Sequence, residues 1–484
     1  MKVGVISGMT RIQWLAVALI AAGGPASAET LQEAMAVAYR SNPALLSERS
    51  KLRATDELVP QALSNWRPTV TVSGNATRSN SFYYINSGST VPGTVVPGST
   101  ETGAVSSSSS SSQLYNNETM ALQVTEQLFR GGRTVAQTRQ AEAQIEAERA
   151  QLTITEEQVL LNVATAYLNL VQAQAVLRLS INNEQVLQRQ LDAVQDRFRV
   201  GEVTRTDVAQ AQSRLSGAHA DRTQSEGNLR TARAGYVQQV GHLPDRVDYP
   251  AALPGLPADA EQAQSLAAAQ NPSIGNARSN YQAALEGIDL IAGELLPTVS
   301  LTGTAERIIN FDGPSSFENV AQAMLSVTVP LYQQGQEYSR LRAQKQTAGQ
   351  THAQIDQARR DVDESLAASW EALQTARTRR ASYNDQIKAA EIALEGVQRE
   401  NQVGSRTVLD VLNAEQELLQ ARVSEVQAHH DEVVAAYQVL DATGQLTAQY
   451  LALPVELYDP GLHYEEVHDK WVGFGDRPDL VKQN

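Results

Sequence analysis

Histidine and carboxylate side chains lie close together at one place in this sequence, near its C-terminal end. His463 and His468 lie beside two glutamates, and imidazole with carboxylate is a ligand set that can bind zinc. We interpret this stretch as an exposed polar segment, because it belongs to a tail that has no internal repeat partner. His429 and His430 are adjacent, so on a helix they point in different directions and do not converge on one metal ion.

Other catalytic patterns are missing from the sequence. It contains no Gly-rich phosphate loop, no nucleophile elbow and no His/Glu metalloprotease motif, and without cysteine it cannot perform thiol chemistry or form disulfides. The formal net charge is −15, and no basic stripe is present that would bind a phosphate backbone, so nucleic acid is not expected as a partner. We therefore predict no catalytic residue, no metal site and no cofactor, and an enzyme is the weakest hypothesis.

The first 28 residues predict export from the cytoplasm. Lys2 and Arg11 flank an apolar stretch at residues 14–22, and small residues at 26–28 provide a cleavage site, which is the pattern of a secretory signal peptide. No cysteine follows that could carry a lipid anchor, so the protein is predicted not to be lipidated. No later run of 18 or more apolar residues is found, so a membrane-spanning helix is not expected. A soluble exported protein and an outer-membrane β-barrel remain possible.

The sequence contains an internal duplication. Asn42-Pro43 recurs as Asn271-Pro272 at an offset of 229 residues, and Val200-Gly201 recurs as Val403-Gly404 at an offset of 203. The 26-residue difference falls in one Ser-rich stretch, which we interpret as part of a flexible extracellular loop over about residues 81–118. Two copies of one unit indicate a duplicated scaffold. The predicted organisation is a signal peptide at 1–28, a first structural repeat at 29–251, a second at 252–450 and a C-terminal periplasmic segment at 451–484.

Each repeat is predicted to contain two β-strands with one apolar face. Apolar residues such as Val299, Leu301 and Gly303 alternate with polar ones, as in a barrel wall between lipid and water. If these strands meet lipid, one chain cannot close the sheet, because four strands are too few and open edges would leave backbone groups unpaired in hydrocarbon. Several subunits would then share one barrel, and the alternative is a pair of hairpins on a soluble core. The predicted strands span about residues 67–80, 119–130, 297–310 and 321–332.

Very long helices are predicted to follow the strands. Proline is absent from segments 134–200 and 336–403 and glycine is rare there, and about 67 residues at 1.5 Å per residue give a helix of roughly 100 Å. That length, with apolar or small residues spaced three and four apart, is typical of coiled coils. Many seam positions are alanine or polar, which favours helices around a lumen, although a solid helical bundle fits the same spacing. The predicted helices span about residues 131–200, 205–240, 335–403 and 408–446, with shorter helices before the strands at about 31–64 and 261–295.

Two matched turns join the long helices. Gly201 and Gly404 stand where the end of a helix adopts left-handed backbone, and a threonine follows that can cap the next helix. Asp207 and Asp410 then lie near the positive N-terminal end of that helix. A well-built αα-hairpin explains most of these residues. The turns are also the best-matched segment between the two copies, which indicates a tip that is used for contact.

The signal peptide, the duplicated unit and the second turn, Val-Gly-Ser-Arg-Thr-Val-Leu-Asp-Val-Leu at residues 403–412, together resemble TolC-type outer-membrane channels. The resemblance implies an α+β membrane protein in which three protomers share a 12-stranded β-barrel, with four strands per chain, that continues into a long periplasmic α-helical coiled-coil barrel. It implies a periplasmic adaptor and an inner-membrane ABC or proton-coupled transporter as partners, with the barrel in outer-membrane lipid. The implied function is the exit duct of a type I secretion or multidrug efflux system.

The same resemblance implies roles for residues of the turns. Asp410 matches an aspartate of the constricted entrance, where three copies form an anionic ring, and Arg406 matches an arginine that links helices in closed tunnels. Asn413 replaces the second entrance aspartate of the family, and Asn401 replaces an aromatic residue of the closed-state links. The residues expected to contact the adaptor are Val200, Gly201, Thr204, Asp207, Val403, Gly404 and Thr407.

The rival hypothesis is a periplasmic coiled-coil adaptor or scaffold protein without a pore. Adaptors usually have one long helical hairpin flanked by β-domains, whereas this sequence repeats a pair of strands that continue into very long helices. A soluble secreted helical protein is the third hypothesis, and it predicts release into the medium rather than trimers in the outer membrane.

Overall fold

The computed structural model of the protein describes residues 29–87, 107–244, 246–250, 253–310 and 315–475. The predicted signal peptide lies outside the described residues, and so do the last residues of the C-terminal segment. Both repeats have the same order of elements, which is short helices, two strands, one very long helix and a second long helix. This order follows the change from apolar residues three and four apart to apolar residues two apart along the sequence.

The bounds of the elements show the two repeats side by side. The first repeat contains α1 (Leu31–Ser41), α2 (Pro43–Asp56), α3 (Leu58–Leu63), β1 (Thr69–Ser87), β2 (Ser107–Arg130), α4 (Arg133–Arg199) and α5 (Arg205–Val240). The second contains α6 (Ala260–Gln270), α7 (Pro272–Ala292), β3 (Thr298–Ile309), β4 (Phe317–Thr328), α8 (Gln336–Gln402) and α9 (Val408–Ala442). A short helix, α10 (Leu462–Val467), follows in the C-terminal segment.

An Asn-Pro pair divides the helical region that precedes the strands in each repeat. Asn42 ends α1, and its side chain accepts a backbone N–H from the first turn of α2, where Pro43 occupies the first position. Asn271 does the same between α6 and α7. The single helices predicted at 31–64 and 261–295 are therefore each interrupted at the asparagine.

The four strands form one antiparallel sheet in the order β1–β2–β3–β4. Its register pairs Val72 with Leu122, Leu122 with Ala305 and Ala305 with Ala321. Because directly paired residues lie on the same side of a sheet, the apolar residues of all four strands share one face, and the threonines and serines between them share the other. Within the described part of the chain, β1 and β4 each pair on one side alone, so the sheet has two open edges.

The first hairpin is longer than the sequence pattern predicted. β1 continues to Ser87 and β2 already begins at Ser107, so both ends of the loop predicted at 81–118 are strand. The tip of that loop, residues 88–106, lies outside the described residues. Backbone pairing between Ser81 and Gln113 requires no apolar face. The Ser-rich stretch therefore continues the ladder without the alternating pattern by which strands are recognised.

The two longest helices, α4 and α8, have 67 residues each. At 1.5 Å per residue they extend for about 100 Å, and each packs along the helix that follows its turn and along α7. The helix α9 ends at Ala442, before the predicted end near 446, because Gly444 adopts left-handed backbone with φ of +74°. Among the described residues, α4 alone has a stretch with the length and apolar composition of a membrane span. Half of that stretch is buried within the protein, which is typical of a core helix.

The largest apolar core lies where the short helices and the C-terminal segment pack against the middle of α4. Tyr167 and Leu160 of α4 are buried there against Tyr236 of α5 and Leu440 of α9. The C-terminal segment packs along α1 and α2. The backbone N–H of Tyr458 donates to the Tyr39 hydroxyl at 3.1 Å.

The C-terminal histidines are explained by structural contacts. His463 Nδ1 lies 3.0 Å from Oδ2 of the buried Asp56, and His468 contacts its neighbour Asp469. Among the residues that the structure describes, no group of three or more His, Cys, Asp or Glu side chains could hold a metal ion. His463 therefore anchors the C-terminal segment on α2.

The junction between β2 and α4 depends on two adjacent glycines. Gly131 and Gly132 both have left-handed backbone, with φ of +63° and +77°. A Cβ on Gly131 would lie 2.4 Å from the carbonyl oxygen of Gly293, whereas a Cβ on Gly132 would meet no described atom within 4 Å. Close backbone contact with the turn before β3 therefore requires glycine at position 131 in particular.

Gly131→Ala is expected to lower the apparent melting temperature of the protein in detergent further than Gly132→Ala. Both substitutions carry the cost of left-handed backbone, about 1–2 kcal/mol for a residue other than glycine, and Gly131→Ala alone adds a backbone clash. Thermal unfolding followed by circular dichroism measures the difference. Equal melting temperatures for the two variants would contradict the close contact at Gly131.

A carboxyl group is buried in the helical core at Glu157 of α4. The side chain is 4% exposed, and its Oε1 has no hydrogen-bond partner among the described residues. Burial, with Asp441 and Glu156 nearby, raises the pKa of Glu157 to about 9, and burial raises the pKa of Asp441 to about 6. Glu157 is therefore protonated in the folded protein at neutral pH.

The apparent melting temperature is expected to fall as pH rises from about 5 to 9, and Glu157→Gln is expected to reduce that fall. The folded-state pKa lies above the ordinary value of 4.5. The group's contribution to stability is therefore fully present at low pH and is lost as pH rises through the folded-state pKa. Asp192→Asn, at an exposed position of the same helix, is the control and should leave the pH profile unchanged. An identical slope for Glu157→Gln and the unsubstituted protein would show that Glu157 is not the titrating group.

Candidate functional site

The two turns at the far end of the long helices have the same backbone geometry. Gly201 and Gly404 adopt left-handed backbone, with φ of +82° and +80°. In the first turn the Glu202 N–H donates to a carbonyl five residues earlier at 2.9 Å, and in the second the Ser405 N–H does the same at 2.9 Å. These bonds pair the last carbonyls of α4 and α8, which is how a glycine after a helix ends it. We call α4 with α5 hairpin 1, and α8 with α9 hairpin 2.

Each turn returns into a helix through a reciprocal cap. Thr407 Oγ1 accepts the Asp410 N–H at 3.2 Å, while Asp410 Oδ2 accepts the Thr407 N–H at 2.9 Å and the Thr407 hydroxyl at 2.8 Å. Thr204 and Asp207 form the equivalent cap in hairpin 1. The Thr407 N–H and hydroxyl, with Arg406 nearby, hold the pKa of Asp410 below its usual range. Asp410 therefore carries a full negative charge at neutral pH.

Arg406 forms an ion pair within its own turn. Its Nε lies 2.9 Å from Glu400 Oε2, and both side chains are about half exposed. The bond with Glu400 raises the pKa of Arg406, so the guanidinium remains charged. Within one protomer, the Arg406 side chain therefore does not bridge the two hairpins.

Asn401 and Asn413 connect hairpin 2 to hairpin 1. Arg197 Nη1 of α4 donates to Asn401 Oδ1 at 3.1 Å, and Arg214 Nη2 of α5 donates to Asn413 Oδ1 at 2.9 Å. Asn401 is 8% exposed, and its Nδ2 also donates to the Arg406 carbonyl at 2.9 Å. The buried amide thus joins α4, the end of α8 and the second turn.

A small apolar cluster lies beside these hydrogen bonds. Val408 and Leu412 of hairpin 2 are buried against Leu191, Val194 and Ala211 of hairpin 1. The two hairpins are therefore packed together at their tips through an apolar contact and two side-chain hydrogen bonds.

Sequence analysis did not identify Arg197 and Arg214. A signal for both exists in the duplication, because the offset of 203 aligns Arg197 with Glu400 and Arg214 with Glu417. The repeats carry opposite charges at these two aligned places, one turn of helix or more from the matched Gly and Asp positions, and also at other aligned pairs such as Asp196 and Arg399. A comparison of charge between the copies, in addition to a comparison of identity, would have included Arg197 and Arg214 among its candidates.

The outermost part of the tip is apolar and exposed. Val200 is 72% exposed and Val403 is 80% exposed, each next to its turn glycine. The Thr204 and Thr407 hydroxyls are already used in the caps, so they shape the turns. The adaptor-contact residues predicted from the sequence therefore fall into two groups, the exposed apolar tips and the residues that hold them in shape.

Comparison with known proteins agrees with this architecture. A family model described as outer membrane efflux protein matches residues 35–242 and 263–445. The chain is 35% identical over 452 residues to outer membrane efflux protein BepC of Brucella suis, covering 93% of each protein. It is 25% identical over 444 residues to outer membrane protein TolC of Escherichia coli, covering 88% of this chain and 84% of TolC.

A solved structure shows the same fold. The outer membrane channel CmeC of Campylobacter jejuni superposes with a TM-score of 0.73 at 14% identity, covering 91% of this chain and 89% of that one. The predicted fold class, with a barrel shared by three protomers and a long helical tunnel, is confirmed, and so is the predicted outer-membrane location. The two ranges matched by the family model correspond to the two repeats, and on that match the chain belongs to the outer membrane efflux protein family.

Proposed function

We propose that three copies of this protein form the exit duct of a type I secretion or multidrug efflux system, and that the two hairpin tips close its periplasmic entrance. Membership of the outer membrane efflux family supports the duct. The observation that supports closure of the entrance by the tips is the pair of arginine–asparagine hydrogen bonds between the hairpins. The chain acts as a passive conduit without enzymatic activity, and the energy for transport comes from an inner-membrane ABC or proton-coupled transporter.

Opening of the entrance requires hairpin 2 to move away from hairpin 1. That movement breaks the Arg197–Asn401 and Arg214–Asn413 bonds and exposes Val408. Arg406 contributes through its backbone carbonyl, which accepts from Asn401. A partly exposed hydrogen bond to a charged group contributes about 1 kcal/mol. If three protomers open together, loss of one link per protomer changes the opening equilibrium by about 3 kcal/mol, or roughly a hundredfold.

Three copies of Asp410 around the entrance would form an anionic ring that favours cations. The cap with Thr407 keeps each carboxylate charged and in one position. Arg406 lies close enough to interact with the carboxylate and offsets part of its field. With Asn413 in place of a second aspartate, the selectivity of the entrance rests on this one ring.

The exposed tips are proposed to contact the periplasmic adaptor. Val200 and Val403 present apolar side chains to solvent, and Gly201 and Gly404 beside them allow a partner backbone to approach closely. This arrangement occurs in both repeats, so a trimer would offer the adaptor alternating copies of two similar tips.

A pore-less periplasmic scaffold explains the structure less well. Val70 and Val72 of β1 are 63% and 81% exposed, and Leu325 and Val327 of β4 are 62% and 61% exposed. A soluble scaffold would leave this apolar sheet face in water, whereas a barrel wall places it in lipid.

Arg197→Ala is expected to raise the open probability of the reconstituted channel, by as much as a hundredfold in the opening equilibrium. The substitution removes the donor to Asn401 and frees hairpin 2 from α4. Single-channel recording in planar bilayers measures the effect. Arg199→Ala is the matched control, because Arg199 pairs with Asp196 in its own helix and both side chains are exposed. If both variants opened equally, general loss of positive charge would be the cause rather than the link.

Asp410→Asn is expected to lower the preference of the channel for cations, because it removes the negative charge that the entrance ring depends on. The measurement is the reversal potential in a salt gradient across a planar bilayer. Asp207→Asn is the control, because Asp207 forms the same cap with Thr204 in hairpin 1 and the substitution likewise removes one carboxylate. An unchanged reversal potential in Asp410→Asn, or an equal shift in both variants, would remove Asp410 from the entrance.

A further inference from the structure

The last described residues of the chain form an exposed apolar segment. Trp471 is 67% exposed, Val472 is 87% exposed and Phe474 is fully exposed. The residues before them pack against the protein, through Tyr458 on α1 and His463 on α2. The family model matches the chain only to residue 445, so this segment is a feature of the chain beyond that match.

Arg67 holds the exposed segment beside the barrel. Arg67 Nη1 donates to the Lys470 carbonyl at 2.8 Å, and its guanidinium carbon lies 4.7 Å from the centre of the Trp471 ring. Because β1 begins at Thr69, two residues after Arg67, Trp471 lies at the end of β1 that faces the helical part. This end is the periplasmic end of the barrel strand.

Each strand has exposed apolar or aromatic side chains at the end that connects to the helical part. These residues are Trp66 (47% exposed), Phe129 (43%), Leu296 (48%), Leu331 (90%) and Tyr332 (78%). Tryptophan and tyrosine concentrate where a bilayer meets water, because the ring is apolar and its N–H or O–H group is polar. The described part of the C-terminal segment therefore reaches the periplasmic boundary of the lipid-facing sheet.

We propose that Trp471, Val472 and Phe474 insert into the periplasmic leaflet of the outer membrane, so that the C-terminal segment anchors the junction of barrel and tunnel to phospholipid. The apolar sheet face begins next to the segment at Val70, which makes the segment continuous with the surface that already meets lipid. The ammonium of Lys470 and the guanidinium of Arg67 lie at the level of the lipid phosphates and bind them.

Phospholipid fits the exposed segment better than a neighbouring subunit does. Trp471 and Val472 are adjacent in a segment without helix, so their side chains point to different sides, and both are mostly exposed. A protein neighbour packed on one side would cover one of them, whereas acyl chains surround an inserted segment on all sides.

Fluorescence quenching by brominated lipids tests this proposal on the full chain. A variant with Trp66→Phe and Trp370→Phe leaves Trp471 as the sole tryptophan of residues 29–484. In liposomes of phosphatidylcholine brominated near the headgroup end of its acyl chains, this variant is expected to lose fluorescence relative to unbrominated liposomes. Lipids brominated near the methyl end should quench it less, because the ring lies at the interface.

The control variant carries Trp66→Phe and Trp471→Phe and retains Trp370. Trp370 lies on α8, packed beside the α6–α8 core, so its fluorescence should be the same in both lipids. Absence of quenching at Trp471 would overturn the proposal. If the emission of the unquenched Trp471 were also shifted to shorter wavelength, a neighbouring subunit would be shown to cover the ring instead of lipid.

A second measurement does not depend on the tryptophan substitutions. The chain contains no cysteine, so Val472→Cys can carry a single nitroxide label, and Leu462→Cys, at a position of α10 that is 65% exposed, is the matched control. Oxygen partitions into lipid and a nickel chelate into water. The ratio of oxygen to nickel relaxation is expected to be higher at position 472 than at position 462, and equal ratios would overturn the proposal.

Discussion

The unpaired backbone of the outer strands is the constraint on which the rest of the structure depends. The sheet ends at β1 and β4, and in hydrocarbon each unpaired N–H and carbonyl costs several kcal/mol. Three chains that pair β1 of one with β4 of the next satisfy these groups and produce a closed barrel. The threefold arrangement then brings the long helices into one tunnel and places three copies of each tip around one axis. The proposed entrance ring and gate thus depend on a requirement at the opposite end of the molecule.

Duplication supplies two hairpins of equal length that differ in charge at their tips. Arg197 and Arg214 in hairpin 1 correspond to Glu400 and Glu417 in hairpin 2, and the arginines donate to Asn401 and Asn413 across the contact. Neutral amides accept these hydrogen bonds without adding a charge pair, so each link is directional and can break at modest cost. This balance suits the opening that we propose for the entrance, and Glu400 pairs with Arg406 in its own turn.

Much of the architecture could be predicted from the sequence, and the errors have local causes. The strands that follow Pro68 and Pro297 can be predicted because one face of each is apolar. The Ser-rich continuation of the first hairpin has no such face and reads as a loop, although backbone hydrogen bonds hold it in the ladder. The helical region before the strands in each repeat is predicted from the sequence as one helix. In the structure, the asparagine before proline ends one helix and begins the next. The threonine caps of both turns are predicted correctly from the sequence, because their partners lie within three residues, while the reciprocal bonds from Asp207 and Asp410 are seen only in the structure.

The sequence by itself determined the duplication, because matched residues recur at fixed offsets. It also determined the length of the helices and the geometry of the turns, because these depend on residues two to five positions apart. Only the tertiary structure decided which side chains meet between the hairpins, since Arg197 and Asn401 are 204 residues apart and Arg214 and Asn413 are 199 apart. It also decided that Arg67, beside the barrel, donates to the Lys470 carbonyl and lies against the Trp471 ring. The contacts between the hairpins depend on how two packed helices align along their whole length, and a periodic pattern of apolar residues leaves that alignment open.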